Sequence, residues 1–115
     1  MSLVHEQFEF LKDIAKLLEY IEDYCRRTPA DDAFTAGEFW RPDVAQQWYL
    51  KMGLSKASRS KHQDRLALDL NYISGRKLKV VPEEVGAFWE SLSPKNVWGG
   101  RWKSPYDPGH FERRI

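Results

Sequence analysis

The sequence predicts an α+β fold, a small antiparallel sheet with helices packed on one face, from three observations. Apolar residues recur at helical spacing through the first quarter of the chain. Between Leu66 and Tyr72 they alternate with polar ones, and a Ser74-Gly75 turn signal then separates that stretch from a second apolar run.

From Val4 to Arg27, Phe8, Leu11, Ile14, Leu18, Ile21 and Cys25 follow one another at steps of three and four, which predicts an amphipathic helix with those residues on its buried face. Thr28-Pro29-Ala30-Asp31-Asp32 should end it. Ala33-Phe34-Thr35-Ala36 reads as a short strand leading into Gly37-Glu38-Phe39-Trp40-Arg41. Pro42 suits the first turn of a helix, where its missing N–H would be unpaired anyway, and Asp43 complements the helix dipole. That second helix should reach about Met52 and be capped by Gly53.

Leu54 to Lys61 lacks periodicity and reads as an exposed loop. In the strand that follows, Leu66, Leu68, Leu70 and Tyr72 take one face, so Asp69 points away from the leucines. Ser74-Gly75 turns the chain into Leu78-Lys79-Val80-Val81 as a hairpin, and Pro82-Glu83-Glu84 opens a helix carrying Val85, Phe88, Trp89 and Leu92. Ser93 to Ile115, rich in Gly, Pro and Trp, is expected to form loops around one last strand near His110 to Arg113.

A length of 115 residues is that of one domain, taken here as 1–115. The chain is 42% hydrophobic and 30% charged, and no apolar run is long enough to cross a bilayer, so membrane insertion is not expected. Eighteen basic against seventeen acidic residues leave a net charge of +1, without the polybasic field on which nucleic-acid binding depends. The single Cys25 excludes an intramolecular disulfide. MSLVHEQFEF has neither the basic start nor the apolar core of a secretory signal, so synthesis in the cytoplasm is expected, with any action on a cell wall requiring release through a holin-type hole. The chain is expected to act as a monomer.

Two imidazoles and a carboxylate are the donor types of a catalytic zinc that keeps a position open for water, and His62, Asp69 and His110 supply them. His62 lies in the approach to the strand that bears Asp69, so both can face one cleft. Asp107, three residues before His110, can stand beside a metal as the proton carrier without being a ligand. Arg41, with its fixed fork of donors, is the candidate for holding a developing oxyanion, although it could also pair with Glu38 or stack on Trp40. His5 reads as a structural residue of the first helix. Trp89, Trp98 and Trp102 are expected in the core and cleft wall, with Trp98 or Trp102 against substrate. Lys51, Lys56, Arg59 and Lys61 make a basic run that is either a solvated loop or an attraction for substrate carboxylates.

The segment Ser60-Lys61-His62-Gln63-Asp64-Arg65-Leu66-Ala67-Leu68-Asp69, followed by Asp107-Pro108-Gly109-His110, resembles the zinc D-Ala-D-Ala carboxypeptidases and L-alanyl-D-glutamate endopeptidases, phage endolysins among them. The family motif Ser-x-His-x-x-Gly-x-Ala-x-Asp, and an acidic residue three before a His, fall here on His62, Asp69, Asp107 and His110. The resemblance implies a hedgehog/DD-peptidase-like fold, one zinc ion on His62, Asp69 and His110, catalysis by Asp107 and Arg41, and peptidoglycan stem peptide as substrate. Ser60 and Gln46, the latter in an aromatic-Arg segment running from Glu38 to Gln46, would contact substrate, and Trp98-Gly99-Gly100-Arg101-Trp102 is similar to phage-type members. Arg65 stands where the motif has Gly, which implies a changed turn or a side chain in the cleft. The alternative is a non-catalytic zinc-containing binding domain on the same scaffold; Asp107 argues against it, since pure binding needs no such carboxylate.

Overall fold

The computed structural model describes residues 1–28 and 31–115. The chain runs α1 (Leu3–Arg27), β1 (Ala33–Ala36), α2 (Asp43–Lys51), β2 (Ala67–Ser74), β3 (Lys77–Lys79), α3 (Glu83–Ser91), β4 (Asn96–Trp98), a 3-10 turn (Gly99–Arg101) and β5 (His110–Arg113). The α+β class is as expected, and every strand pairing is antiparallel. The expected break after α1 includes Pro29 and Ala30, which lie outside the described residues.

β2 organises the sheet, whose order is β1-β2-β5-β4 with β3 also on β2. β1 and its continuation hold one edge of β2, where Gly37 N donates to Asp69 O at 2.8 Å and Asp69 N to Glu38 O at 2.9 Å. β5 and β3 share the other edge, β5 against Ala67–Asp69 and β3 against Tyr72–Ser74. β4 is a strand within the segment expected to be loops. Three residues are too few for a periodic signal, and its pairing of Asn96 with Arg113 depends on β5.

Leu68, Leu70 and Tyr72 of β2 join Phe10, Ile14, Leu17 and Ile21 of α1, Val85 and Trp89 of α3, Trp98 and Phe111 in one core. Trp89 is wholly buried and donates its indole N–H to Val97 O and Glu112 O, at 3.1 and 3.2 Å, so it ties α3 to β4 and β5. Trp98 packs against Gly86, where a Cβ would come within 2.1 Å of the indole. No helix is long and apolar enough to cross a membrane among the described residues.

The face of α1 differs from the expected one. Ile14 and Ile21 are buried, but Phe8, Leu11 and Leu18 are about half exposed, and the inner face carries Glu6, Phe10, Asp13, Ile14, Leu17 and Ile21. The reason is polar. Glu6 accepts from Arg113 Nη2 at 2.7 Å and from Lys95 Nζ at 2.8 Å, and Asp13 accepts from Asn96 Nδ2 at 3.1 Å. Buried carboxylates with such partners occupy positions that apolar spacing assigns to solvent.

α2 stands apart from this core: Gln46 is its buried residue. Its Gln46 and Tyr49 meet Arg41 and Glu38, in the segment whose backbone pairs with Asp69.

Candidate metal centre

Asp69 and His110 are directly paired residues of β2 and β5, so their side chains leave the sheet on one face. Asp69 Oδ1 lies 3.0 Å from His110 Nδ1. His62 arrives from a turn closed by Ser60, whose Oγ accepts from His62 N at 3.2 Å. Its Nε2 reaches the same Asp69 oxygen at 3.3 Å. One ligand atom from each of His62, Asp69 and His110 lies within 4.8 Å of the others, the set expected from the sequence.

The outer nitrogens decide which ring atoms face inward. His62 Nδ1 is 3.0 Å from Phe39 O, and a carbonyl only accepts, so Nδ1 carries the proton and Nε2 offers its lone pair to the centre. His110 Nε2 is 2.8 Å from Glu112 Oε1, which makes Nδ1 the inward atom. A ligating His is held in this way by a carboxylate or carbonyl behind it.

Electrostatics favour a cation at this point. Burial pushes the His110 imidazole toward its neutral form, yet hydrogen bonds to Asp69 and Glu112 lift its pKa to about 9. Burial likewise pushes Asp69 up, and the hydrogen bond from His110, with the His62 imidazole beside it, outweighs that and holds its carboxyl low. The cluster therefore retains positive charge between its carboxylates. A divalent ion can take the place of that proton, and the donors are of the zinc type.

Asp107 occupies the turn into β5, its Oδ2 3.9 Å from His110 Nδ1. Burial raises its carboxyl above the ordinary range, with His110 opposing and Asp69 adding. The turn is shaped by Gly99, whose carbonyl accepts from Asp107 N at 3.1 Å; a Cβ on Gly99 would lie 2.1 Å from Asp107 O.

Arg41 lines the same cleft, of about 790 Å³. It does pair with Glu38, which accepts from its Nε and Nη2, and it lies over Tyr49 at 4.4 Å rather than over Trp40. Its Nη1 donates to Gln46 Oε1 at 2.5 Å. Gln46 is buried and spends its own N–H groups on Ser55 Oγ and Ala57 O, so it orients Arg41 and the cleft loop instead of facing substrate. Ser60 lines the cleft.

Of the two tryptophans expected near substrate, Trp98 is 3% exposed, donates to Pro108 O at 2.7 Å and sits in the core. Trp102 takes the cleft position, its ring 5.1 Å from that of His110. Arg65 has φ 57°, the left-handed backbone for which the motif uses Gly. Its side chain turns out of the cleft and lies over Trp40 at 4.5 Å. Of the basic run, Lys56, Arg59 and Lys61 line the cleft.

Sequence reasoning missed Glu112. Its position two after His110 on a strand was a usable signal, since alternate residues share a face.

A family model described as D-alanyl-D-alanine carboxypeptidase matches residues 54–113. That span holds His62, Asp69, Asp107, His110 and Glu112, but not Arg41. The fold is similar to the crystal structure of Serratia marcescens L-Ala D-Glu endopeptidase ChiX, with TM-score 0.66 and 20% identity over 90% of this chain and 77% of that one. No curated protein sequence matches.

Proposed function

The chain belongs to the D-alanyl-D-alanine carboxypeptidase family of peptidases, and from that premise we propose that it is a zinc-dependent hydrolase of peptidoglycan stem peptides, of the L-Ala-D-Glu endopeptidase or D-Ala-D-Ala carboxypeptidase type. The observation that carries the reading is the convergence of His62 Nε2, Asp69 Oδ1 and His110 Nδ1 with Asp107 3.9 Å from the last of them.

His62, Asp69 and His110 would hold one zinc ion, which when bound lowers the pKa of water to about 7 and polarises a carbonyl. The work of the chain itself is positional. Asp107, its carboxyl raised by burial, is suited to take a proton from the attacking water and return it to the leaving amine. Arg41 has five N–H donors, of which Glu38 and Gln46 engage three, and the remaining ones serve the developing oxyanion in the cleft. Glu112 keeps His110 in the orientation and tautomer the ion requires. Ser60 stands in the cleft within reach of a bound peptide.

The finer reading, a lysis enzyme of phage or prophage type acting as a monomer on the wall after release from the cell, is supported by the motif resemblance. Digestion of purified peptidoglycan with and without chelator, with new termini identified by mass spectrometry, tests the proposal. An unchanged muropeptide profile at full zinc loading rejects it. Asp107→Ala should keep its zinc and lose turnover, whereas a pure binding domain would have no turnover to lose.

A further inference from the structure

The cleft carries more positive charge than its own carboxylates neutralise. Five cationic side chains line it against three carboxylates, in a chain whose net charge is only +1. The five are not equivalent. Arg41 is engaged by Glu38 and Gln46, and Arg59 by Asp64 and, at 3.8 Å, Asp43. Lys56 and Lys61 have no ion-pair partner among the described residues. Arg114 gives only its Nε, at 2.8 Å, to Glu112 Oε2, and its Nη1 and Nη2 make no hydrogen bond among the described residues.

These three cations come from two places. Lys56 and Lys61 belong to the loop that delivers His62, and Arg114 follows β5, which delivers His110. Arg114 is braced there by Glu112 and by Trp102, over whose ring its guanidinium lies at 5.8 Å. A planar fork held on one side and open on the other fits a carboxylate.

Resting on the peptidase reading, we infer that Lys56, Lys61 and Arg114 are specificity-determining residues that bind substrate carboxylates, and that the preferred scissile bond is flanked by an acidic residue. A peptide ending in D-Ala-D-Ala offers the site one carboxylate, at its terminus. A peptide cut beside a glutamate brings a carboxylate next to the reacting carbonyl as well, and so can engage cations from both segments.

The test uses three peptides with the zinc-loaded protein: one with glutamate after the scissile alanine, its glutamine isostere, and one ending in D-Ala-D-Ala without an internal acid. The acidic peptide should be cleaved with kcat/KM about tenfold or more above its isostere, as expected for charge-assisted hydrogen bonds. K56Q/K61Q should lose most of that ratio, its rate on the acidic peptide falling far more than its rate on the isostere. R114Q should lower the ratio further. Equal cleavage of acid and isostere, preferential cleavage of the D-Ala-D-Ala peptide, or an unchanged ratio in K56Q/K61Q overturns the inference and leaves the peptidase reading intact. If none is cleaved, the peptidase reading fails, and calorimetric binding of the acidic peptide against its isostere decides the inference by the same ratio.

Discussion

Glu112 Oε1 accepts a hydrogen bond from His110 Nε2 at 2.8 Å, and this bond, made by two residues of one strand, turns Nδ1 toward Asp69. Glu112 is itself buried and held by Arg114 through its second oxygen. Removing the carboxylate frees the imidazole to rotate or change tautomer. Glu112→Ala should weaken zinc binding about 10- to 100-fold, as loss of a carboxylate behind a ligating histidine does elsewhere. Glu112→Gln, whose amide oxygen can still accept, should lose less. Competition titration with a chelator measures both, and equal affinity of Glu112→Ala and the unaltered protein would refute the role.

Zinc uptake should release a proton and strengthen as pH rises. Asp69 and Glu112 lift His110 to about 9, so at neutral pH the metal-free centre holds a proton that the ion must displace. Below that value, apparent affinity should fall by up to about tenfold per pH unit for this one proton. Calorimetry in buffers of different ionisation enthalpy reads the proton directly. A pH-independent affinity between 6 and 8 would be incompatible with the arrangement.

Glu6 ties α1 to β5 across the core and makes stability acid-sensitive. Hydrogen bonds from Lys95 and Arg113 hold its carboxyl below the ordinary 4.5, against the effect of burial. A carboxyl lowered by folding contributes stability that is present above its unfolded value and is lost as pH falls through the folded one. Glu6→Gln should therefore lower Tm at pH 7 and flatten the loss of Tm below about pH 4.5, because Arg113 is left buried without its countercharge. A parallel pair of Tm-against-pH curves would show that Glu6 has no such part.

Arg65 combines a strained backbone with a stacked side chain, and two substitutions separate the effects. Arg65→Gly relieves the positive φ and gives up the stack on Trp40, worth about 0.5–1 kcal/mol. Arg65→Ala gives up the stack and keeps a Cβ in the left-handed region, which costs about 1–2 kcal/mol. Denaturant unfolding should rank Arg65→Ala as the less stable of the two by about 1 kcal/mol. The opposite order would mean that the turn does not carry the strain.

Local pattern determined much of this protein. The alternation from Leu66 to Tyr72 put Asp69 on the face opposite the leucines, and β2 has it there, because side-chain direction along a strand is a property of the backbone itself. The spacings of His62 from Asp69, and of Asp107 from His110, marked the residues that the fold brings together. Other features depend on partners distant in the chain. The polar inner face of α1 became legible only with Arg113, 107 positions from Glu6. The division of labour between Trp98, buried against Gly86 of α3, and Trp102, beside His110 in the cleft, was decided by packing. Gln46 was assigned to substrate and is instead spent on Arg41 and the cleft loop, a role visible only once that loop has closed over it. Periodicity records which way a side chain leaves its own segment. What it meets there is decided by tertiary packing, which can bury a paired carboxylate and leave a phenylalanine in water.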